Sequence, residues 1–108
     1  MESPARDPKK IGPGYWDRIH STALSADEYT KQMGFVQWMK NMCEDFPCRK
    51  CSKHCKEYLH KNPPKDSVGK GAMAMFIWAW KFHNAVNQRL GKPEMSYETA
   101  LGIYTTTH

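Results

Sequence analysis

All four cysteines of the chain fall in one short run, Cys43-Glu-Asp-Phe-Pro-Cys48-Arg-Lys-Cys51-Ser-Lys-His-Cys55. At its centre is a C-x-x-C, Cys48 and Cys51, which can close a disulfide, exchange electrons or bind a metal. At the start of a helix the two lie one turn apart, within bridging distance. The positive end of that helix, with Arg49, Lys50 and Lys53 adding charge, favours thiolate over thiol and is expected to lower the pKa of Cys48 or Cys51. Cys51 and Cys55 are four residues apart on the same helix, where side chains run parallel and a strain-free bridge is difficult. Metal binding competes with redox chemistry. The C-x4-C-x2-C spacing matches the first part of a plant-type iron–sulfur pattern, but the further cysteine is absent apart from Cys55. Zinc could take Cys48, Cys51 and two of Cys43, His54 and Cys55, although zinc sites usually join ligand pairs from separate elements. Taken alone, the cluster leaves the redox and zinc readings open, with iron–sulfur binding or inert thiols as the remainder.

A second group of residues is polar where the chain calls for apolar ones. On the segment 72–90 the face Met73, Phe76, Ile77 and Trp80 is expected to continue into the core. The next turns bring His83, Asn84 and Asn87 before Leu90 resumes the apolar stripe. Each polar group left unsatisfied in a core costs about 1–3 kcal/mol, so the protein or a bound polar molecule must satisfy these. Trp16 and His20 repeat the theme one turn apart near the N-terminus. An aromatic and hydrogen-bonding groups on two helices, beside Arg89 and Lys92, suit a planar heteroaromatic ligand bearing phosphates. No Gly-x-Gly-x-x-Gly loop follows a strand, which excludes a Rossmann-type site.

These residues need helices to position them. With 40% hydrophobic and 25% charged residues, the 108-residue chain is globular in composition and suits one domain. Residues 1–12, with Pro4, Pro8 and Gly12, read as an irregular lead-in to a single domain over 13–108. Helices are expected over about 14–24 (Trp16, Ile19, His20 and Ala23 inward), 26–44, 47–61, 72–90 and 96–105. The second carries a stripe of Tyr29, Met33, Val36 and Met39, thickened by Phe35, Trp38 and Met42, and Ser25 or Asp27 can cap it. Pro47 fits the first turn of the third, the loop 62–71 is rich in turn residues, and Gly91 and Pro93 stop the fourth. Ser96 can cap the fifth without a full capping box, because Thr99 stands where Glu or Gln would complete it. No segment alternates with period two. The fold class is therefore all-α, a four-helix bundle with a short additional C-terminal helix. The net charge of +5 is spread along the chain and densest around the cysteines, so a nucleic-acid-binding helical module is a weak third reading. No apolar run approaches about 18 residues and the N-terminus has no signal core, so synthesis in the cytosol, away from membranes, is expected.

The combination of Gly12-x-x-x-Trp16-x-x-x-His20, Cys48-x-x-Cys51 and His83-Asn84-x-Val86-Asn87-x-x-Leu90-Gly91-Lys92-Pro93 resembles the Erv/ALR family of FAD-linked sulfhydryl oxidases, over about residues 12–105. The short chain is most similar to members encoded by large cytoplasmic DNA viruses, which implies the host cytoplasm or the virion as location. The resemblance implies a FAD-dependent thiol oxidase that forms disulfides in protein thiols and passes electrons through FAD to dioxygen, giving hydrogen peroxide. It also implies a homodimer built on the first two helices, a thioredoxin-like or other redox relay protein as substrate, and no nucleic-acid partner. The rival is a zinc-binding interaction module built on Cys43–Cys55.

By the same resemblance Cys51 is the flavin-proximal cysteine, forming a charge-transfer or covalent adduct as a thiolate, and Cys48 the distal cysteine attacked by substrate. Gly12, Trp16, His20, Trp78, Trp80, His83, Asn84, Val86, Asn87, Leu90 and Lys92 would surround FAD, with Lys92 near its phosphates and Tyr104 against the cofactor. Pro13 stands where many relatives carry Arg. Trp80 and Tyr97 occupy the positions of a structural disulfide in cellular members, so packing must replace that bridge.

Overall fold

A computed structural model describes residues 13–105 and is helical in the predicted order. Helices α1 (Pro13–Ser25), α2 (Tyr29–Asp45), α3 (Arg49–Lys61) and α4 (Ala72–Arg89) form the bundle, and α5 (Tyr97–Thr105) lies against α1 and α4. Among the described residues there is no strand. A 3-10 turn, Pro64–Ser67, interrupts the loop before α4. The lead-in 1–12, Gly12 included, lies outside the described residues.

Two hydrophobic cores flank α4. The larger joins α1, α2, α3 and α4 through Ile19, Ala23, Phe35, Met39, Cys43, Cys55, Met75, Trp78 and Phe82. The smaller joins α4 to α5 through Phe76, Ala100 and Tyr104, with Trp16, Trp80 and Tyr97 packed around it. This arrangement corrects the expected stripe on α4. Met73 is exposed and Ile77 only half-buried, while Met75, Phe76, Trp78, Ala79, Phe82 and His83 are buried. A helix covered on two sides has no single apolar face for periodicity to find.

The α2 stripe is corrected at its start. Tyr29 is 66% exposed, and the buried residue of that turn is Gln32. Both ends of its amide are used: Nε2 donates to the Ala26 carbonyl (3.0 Å), and Oε1 accepts from the Gly69 N–H (2.8 Å). One side chain thus joins the α1–α2 turn to the loop before α4, where Gly69 and Gly71 adopt positive φ. Phe35, a candidate for a dimer contact, is buried in the chain's own core.

Helix ends differ from expectation in an informative way. Neither Ser25 nor Asp27 caps α2; Glu28 holds that position without a side-chain bond. Pro47 precedes α3 instead of opening it, and Cys48 is the cap residue. Ser96 caps α5 as expected: its Oγ accepts from the Thr99 N–H (3.1 Å) and donates to the Thr99 hydroxyl (2.8 Å). Gly91, at φ +72°, ends α4 where only glycine is unstrained. No helix among the described residues is long and apolar enough to cross a membrane.

Candidate active site

The N-terminus of α3 presents the C-x-x-C. Cys48 is half-buried and Cys51 buried, and both are free thiols. As the cap, Cys48 places its sulfur 3.2 Å from the Cys51 backbone N–H, which donates to it. Burial works against ionisation of Cys48. Hydrogen bonds from the Cys51 side chain and the Cys51 and Lys50 backbone outweigh it, helped by the charge of Arg89, and leave the thiol below its ordinary value. Cys51 behaves oppositely. Burial first, then its hydrogen bond to Cys48 and the negative charge there, push it up to about 12, with Arg89 opposing. The lowered pKa expected of Cys48 or Cys51 falls to Cys48, while Cys51 is raised in the reduced pair. The cation that acts on both sulfurs comes from α4.

Cys43 and Cys55 are joined in a disulfide that ties the end of α2 to α3. Both are almost wholly buried. The adjoining Ser52 hydroxyl donates to the Cys43 carbonyl (2.6 Å), closing the same corner. That bridge removes two of the thiolates a zinc site would need. Among the described residues no group of three or more His, Cys, Asp or Glu is arranged to hold a metal ion.

Behind Cys51 lies a small apolar cavity lined by Trp16, Phe46, Cys51, Cys55, Phe82, Val86 and Arg89. Trp16 connects it to a second cluster. The indole stacks on His83 with ring centres 3.7 Å apart and planes within 8°. His20 stacks on Tyr104 at 3.9 Å, and His20 Nε2 lies 3.0 Å from His83 Nδ1 in the interior. Burial, with the neighbouring His83, pushes His20 down to about 3; burial, with the charge of Lys92, pushes His83 down to about 4. Both imidazoles are neutral near pH 7. Among the described residues the remaining nitrogen of His20, Nδ1, is buried with no hydrogen-bond partner. A polar atom in that state marks a place where a bound group can supply the missing bond.

The predicted site residues divide into three groups. Trp16, Val86 and Leu90 lie with Cys51 around the cavities at the mouth of α3, and Trp16, His20, His83 and Tyr104 form the stacked cluster. Asn87 is buried beside them on α4, its carbonyl accepting the Lys92 N–H (2.8 Å). Trp78, Trp80 and Asn84 are committed elsewhere. The Trp78 indole donates to the Asn62 carbonyl (2.8 Å) inside the larger core. Trp80 donates to the Met95 carbonyl (2.7 Å), which Asn84 Nδ2 shares (2.8 Å), while Asn84 Oδ1 accepts the Met95 N–H (2.8 Å). Gly12 lies outside the described residues. Sequence reasoning missed Phe46 and Phe82 as cavity walls and gave Arg89 to phosphates alone. Phe82 was findable, since it precedes Val86 by one turn on the same helix.

A planar heteroaromatic group fits these residues. The cavity beside Cys51 is apolar, the adjoining cluster is already aromatic, a buried imidazole nitrogen lacks a partner, and Arg89 and Lys92 supply cations at the same end. Comparison with known proteins bears on which group it is. The model of the Erv1 / Alr family matches residues 13–104. A FAD-linked sulfhydryl oxidase of African swine fever virus is 33% identical over 96 residues, covering 86% of this chain and 78% of the viral protein. The FAD-linked sulfhydryl oxidase ERV1 of Oryza sativa subsp. japonica is 35% identical over 89 residues, 79% of this chain and 44% of the plant protein. Among solved structures, the yeast Erv1 core superposes with a TM-score of 0.81 at 23% identity, over 96% of this chain and 86% of the other. With a shared helical fold and a family model that spans nearly all the described residues, this chain belongs to the Erv1 / Alr family.

Proposed function

We propose that the chain is a FAD-dependent sulfhydryl oxidase in which Cys48 meets substrate and Cys51 meets the cofactor. The observation that carries this reading is the asymmetry of the pair. Cys48 is the more exposed, with the lowered pKa, whereas Cys51 is buried against the cavity that Trp16, Phe82 and Val86 line.

In the oxidised enzyme a substrate thiolate attacks Cys48 of the Cys48–Cys51 disulfide. A bond forms between the substrate sulfur and Cys48, and the Cys48–Cys51 bond breaks, releasing Cys51. A second substrate thiol then attacks the substrate sulfur, so that the substrate leaves as a disulfide and Cys48 as a thiolate. Two electrons and two protons now reside on the Cys48–Cys51 dithiol. Once Cys48 is bonded to substrate its negative charge and its hydrogen bond to Cys51 are gone. Two of the causes that raise Cys51 vanish, and Arg89 is left to oppose burial. The mixed disulfide thereby favours the Cys51 thiolate at the moment it is needed. Bound FAD would supply the acceptor for the electron pair as the Cys48–Cys51 disulfide re-forms and two protons leave, with dioxygen as the onward acceptor and hydrogen peroxide as the product. Trp16, His20, His83, Tyr104, Val86, Asn87 and Leu90 would hold its ring system, and Lys92 its phosphates. Neutral His20 and His83 supply hydrogen bonds there without a charge.

The substrate class is protein thiols, a redox relay protein among them. The reading includes a homodimer through α1 and α2, where Tyr15, Trp38 and Met42 line a groove together with Arg18, Asn41 and Asp45; sedimentation of the purified protein tests it. The central test is spectroscopic and kinetic. The purified protein is expected to carry flavin absorbance and to consume oxygen with dithiothreitol. Cys51→Ser is expected to abolish turnover and retain the flavin. A colourless protein with stoichiometric zinc would refute the reading.

A further inference from the structure

Helix α3 carries Arg49, Lys50, Lys53, Lys56 and Lys61 against one acid, Glu57, so a 13-residue element holds four of the chain's five net positive charges. All five cations are exposed. Lys56 is spent on Glu44 (3.5 Å), and Glu57 lies 4.0 Å from His54. Arg49, Lys50, Lys53 and Lys61, together with Arg89 on α4, have no acidic partner within ion-pair distance among the described residues.

The placement of these cations gives them a use beyond solubility. Lys50, His54, Glu57 and Lys61 recur along one side of α3. His54, Glu57 and Lys61 face Ala85 and Arg89 across a surface groove that continues past Lys50 toward Cys51; the flavin ring would cover its floor at Val86, Leu90 and Cys51, so a partner meets the charged rim. Cys48 caps α3 one turn from Cys51, so the residues flanking a thiol that reaches Cys48 come near the cations on the rim of this groove. We infer that the α3–α4 groove beside the redox pair is a docking surface for a thiol protein that carries acidic residues next to its reactive cysteine. Unpaired cations around one concave surface steer an oppositely charged partner and reject a like-charged one. The groove adds orientation: an acidic segment set along Lys50, Arg89 and Lys61 brings its cysteine to the N-terminal end of α3. The inference rests on the thiol oxidase reading.

The test uses the full-length flavin-loaded protein and one synthetic dithiol peptide made in two versions, with glutamates or lysines flanking its cysteines. Oxidation is followed by loss of free thiol, and kcat/KM for each peptide is compared in the wild type and in Lys50→Glu/Lys61→Glu. Taking the acidic-to-basic ratio within each protein, and then comparing the two proteins, cancels the peptides' own thiol reactivity. It also cancels any change the variant makes in the sulfur chemistry. At low ionic strength the wild-type ratio is expected to exceed the variant's by about tenfold, and at about 0.5 M salt the two are expected to converge. Equal ratios at low salt overturn the inference. So does tight, salt-sensitive binding of a DNA duplex with no discrimination between the peptides, which would assign the cations to nucleic acid. Dithiothreitol turnover in the same preparations separates the two readings. If it persists while the peptides are not discriminated, only the docking surface falls; if it is absent, the oxidase reading falls and the docking surface with it.

Discussion

The sulfur of Cys48 accepts a hydrogen bond from the backbone N–H of Cys51, so a redox residue also serves as the N-cap of α3. Capping oxygens usually occupy that position, and a thiolate there gains both the hydrogen bond and the positive helix end. Reduced protein treated with a limited amount of alkylating agent near pH 7 is therefore expected to be modified at Cys48 and spared at Cys51, with peptide mapping as the readout. Arg89→Gln removes a charge that favours both thiolates. It is expected to move the pH midpoint of Cys48 alkylation upward. An unchanged midpoint would remove Arg89 from the site's electrostatics.

The buried histidine pair makes a prediction about acid. His20 and His83 are held at about 3 and about 4, against 6.5 for an exposed imidazole. Between these limits the unfolded chain binds protons that the native protein does not. Stability is then fully present above pH 6.5 and lost as pH falls toward about 4. Each histidine contributes up to about 1.4 kcal/mol per pH unit in that window. Thermal unfolding measured from pH 7 to 4 is expected to show this slope, and His83→Gln is expected to flatten it. A parallel slope in the variant would mean that other groups cause the acid loss.

How much of this was legible before the fold was known depends on what each residue packs against. Ile19, His20 and Ala23 are buried on α1 and Trp16 packs beside them, so periodicity placed that stripe correctly. On α4 it misplaced the buried face, because Phe76 and Trp78 are buried in different cores on two sides of one helix. The chemistry of the C-x-x-C was readable from spacing, but the difference between Cys48 and Cys51 was not. It comes from the depth of one side chain and from Arg89, nearly forty residues away in sequence. The burial of Gln32 is invisible to periodicity because its two partners, at Ala26 and Gly69, meet only in the fold.

The Cys43–Cys55 disulfide closes a short loop around the redox pair. A bridge over a loop of this size contributes about 3 kcal/mol by constraining the unfolded chain. Replacing both cysteines with alanine is expected to lower unfolding free energy by about 2–4 kcal/mol in urea titration. The bridge is also shielded, with Cys43 1% and Cys55 3% exposed. Mild dithiothreitol followed by mass spectrometry of alkylated protein is expected to label Cys48 and leave Cys43 and Cys55 joined. Simultaneous labelling of all four would mean that the two pairs exchange.

Trp80 and Tyr97 meet edge to face, ring centres 5.5 Å apart and planes at 69°, joining α4 to α5. The contact does the work the resemblance assigned to packing in place of a covalent bridge. The Trp80 indole also donates to the Met95 carbonyl, and Asn84 holds both backbone groups of Met95, so the approach to α5 is pinned from one side of α4. A double-mutant cycle separates the ring contact from these hydrogen bonds. Trp80→Phe removes the donor and retains a ring, whereas Tyr97→Leu removes the aromatic partner and retains apolar bulk. Coupling between them is expected at about 0.5–1.5 kcal/mol, the range for aromatic pairs. Because α5 carries Tyr104 onto His20, loosening this contact is also expected to weaken flavin retention on dialysis. Trp80→Phe with Tyr97→Leu is expected to lose more flavin than either change alone. Additive energies together with full retention of flavin would show that α5 is held by its Ala100 and Tyr104 packing instead.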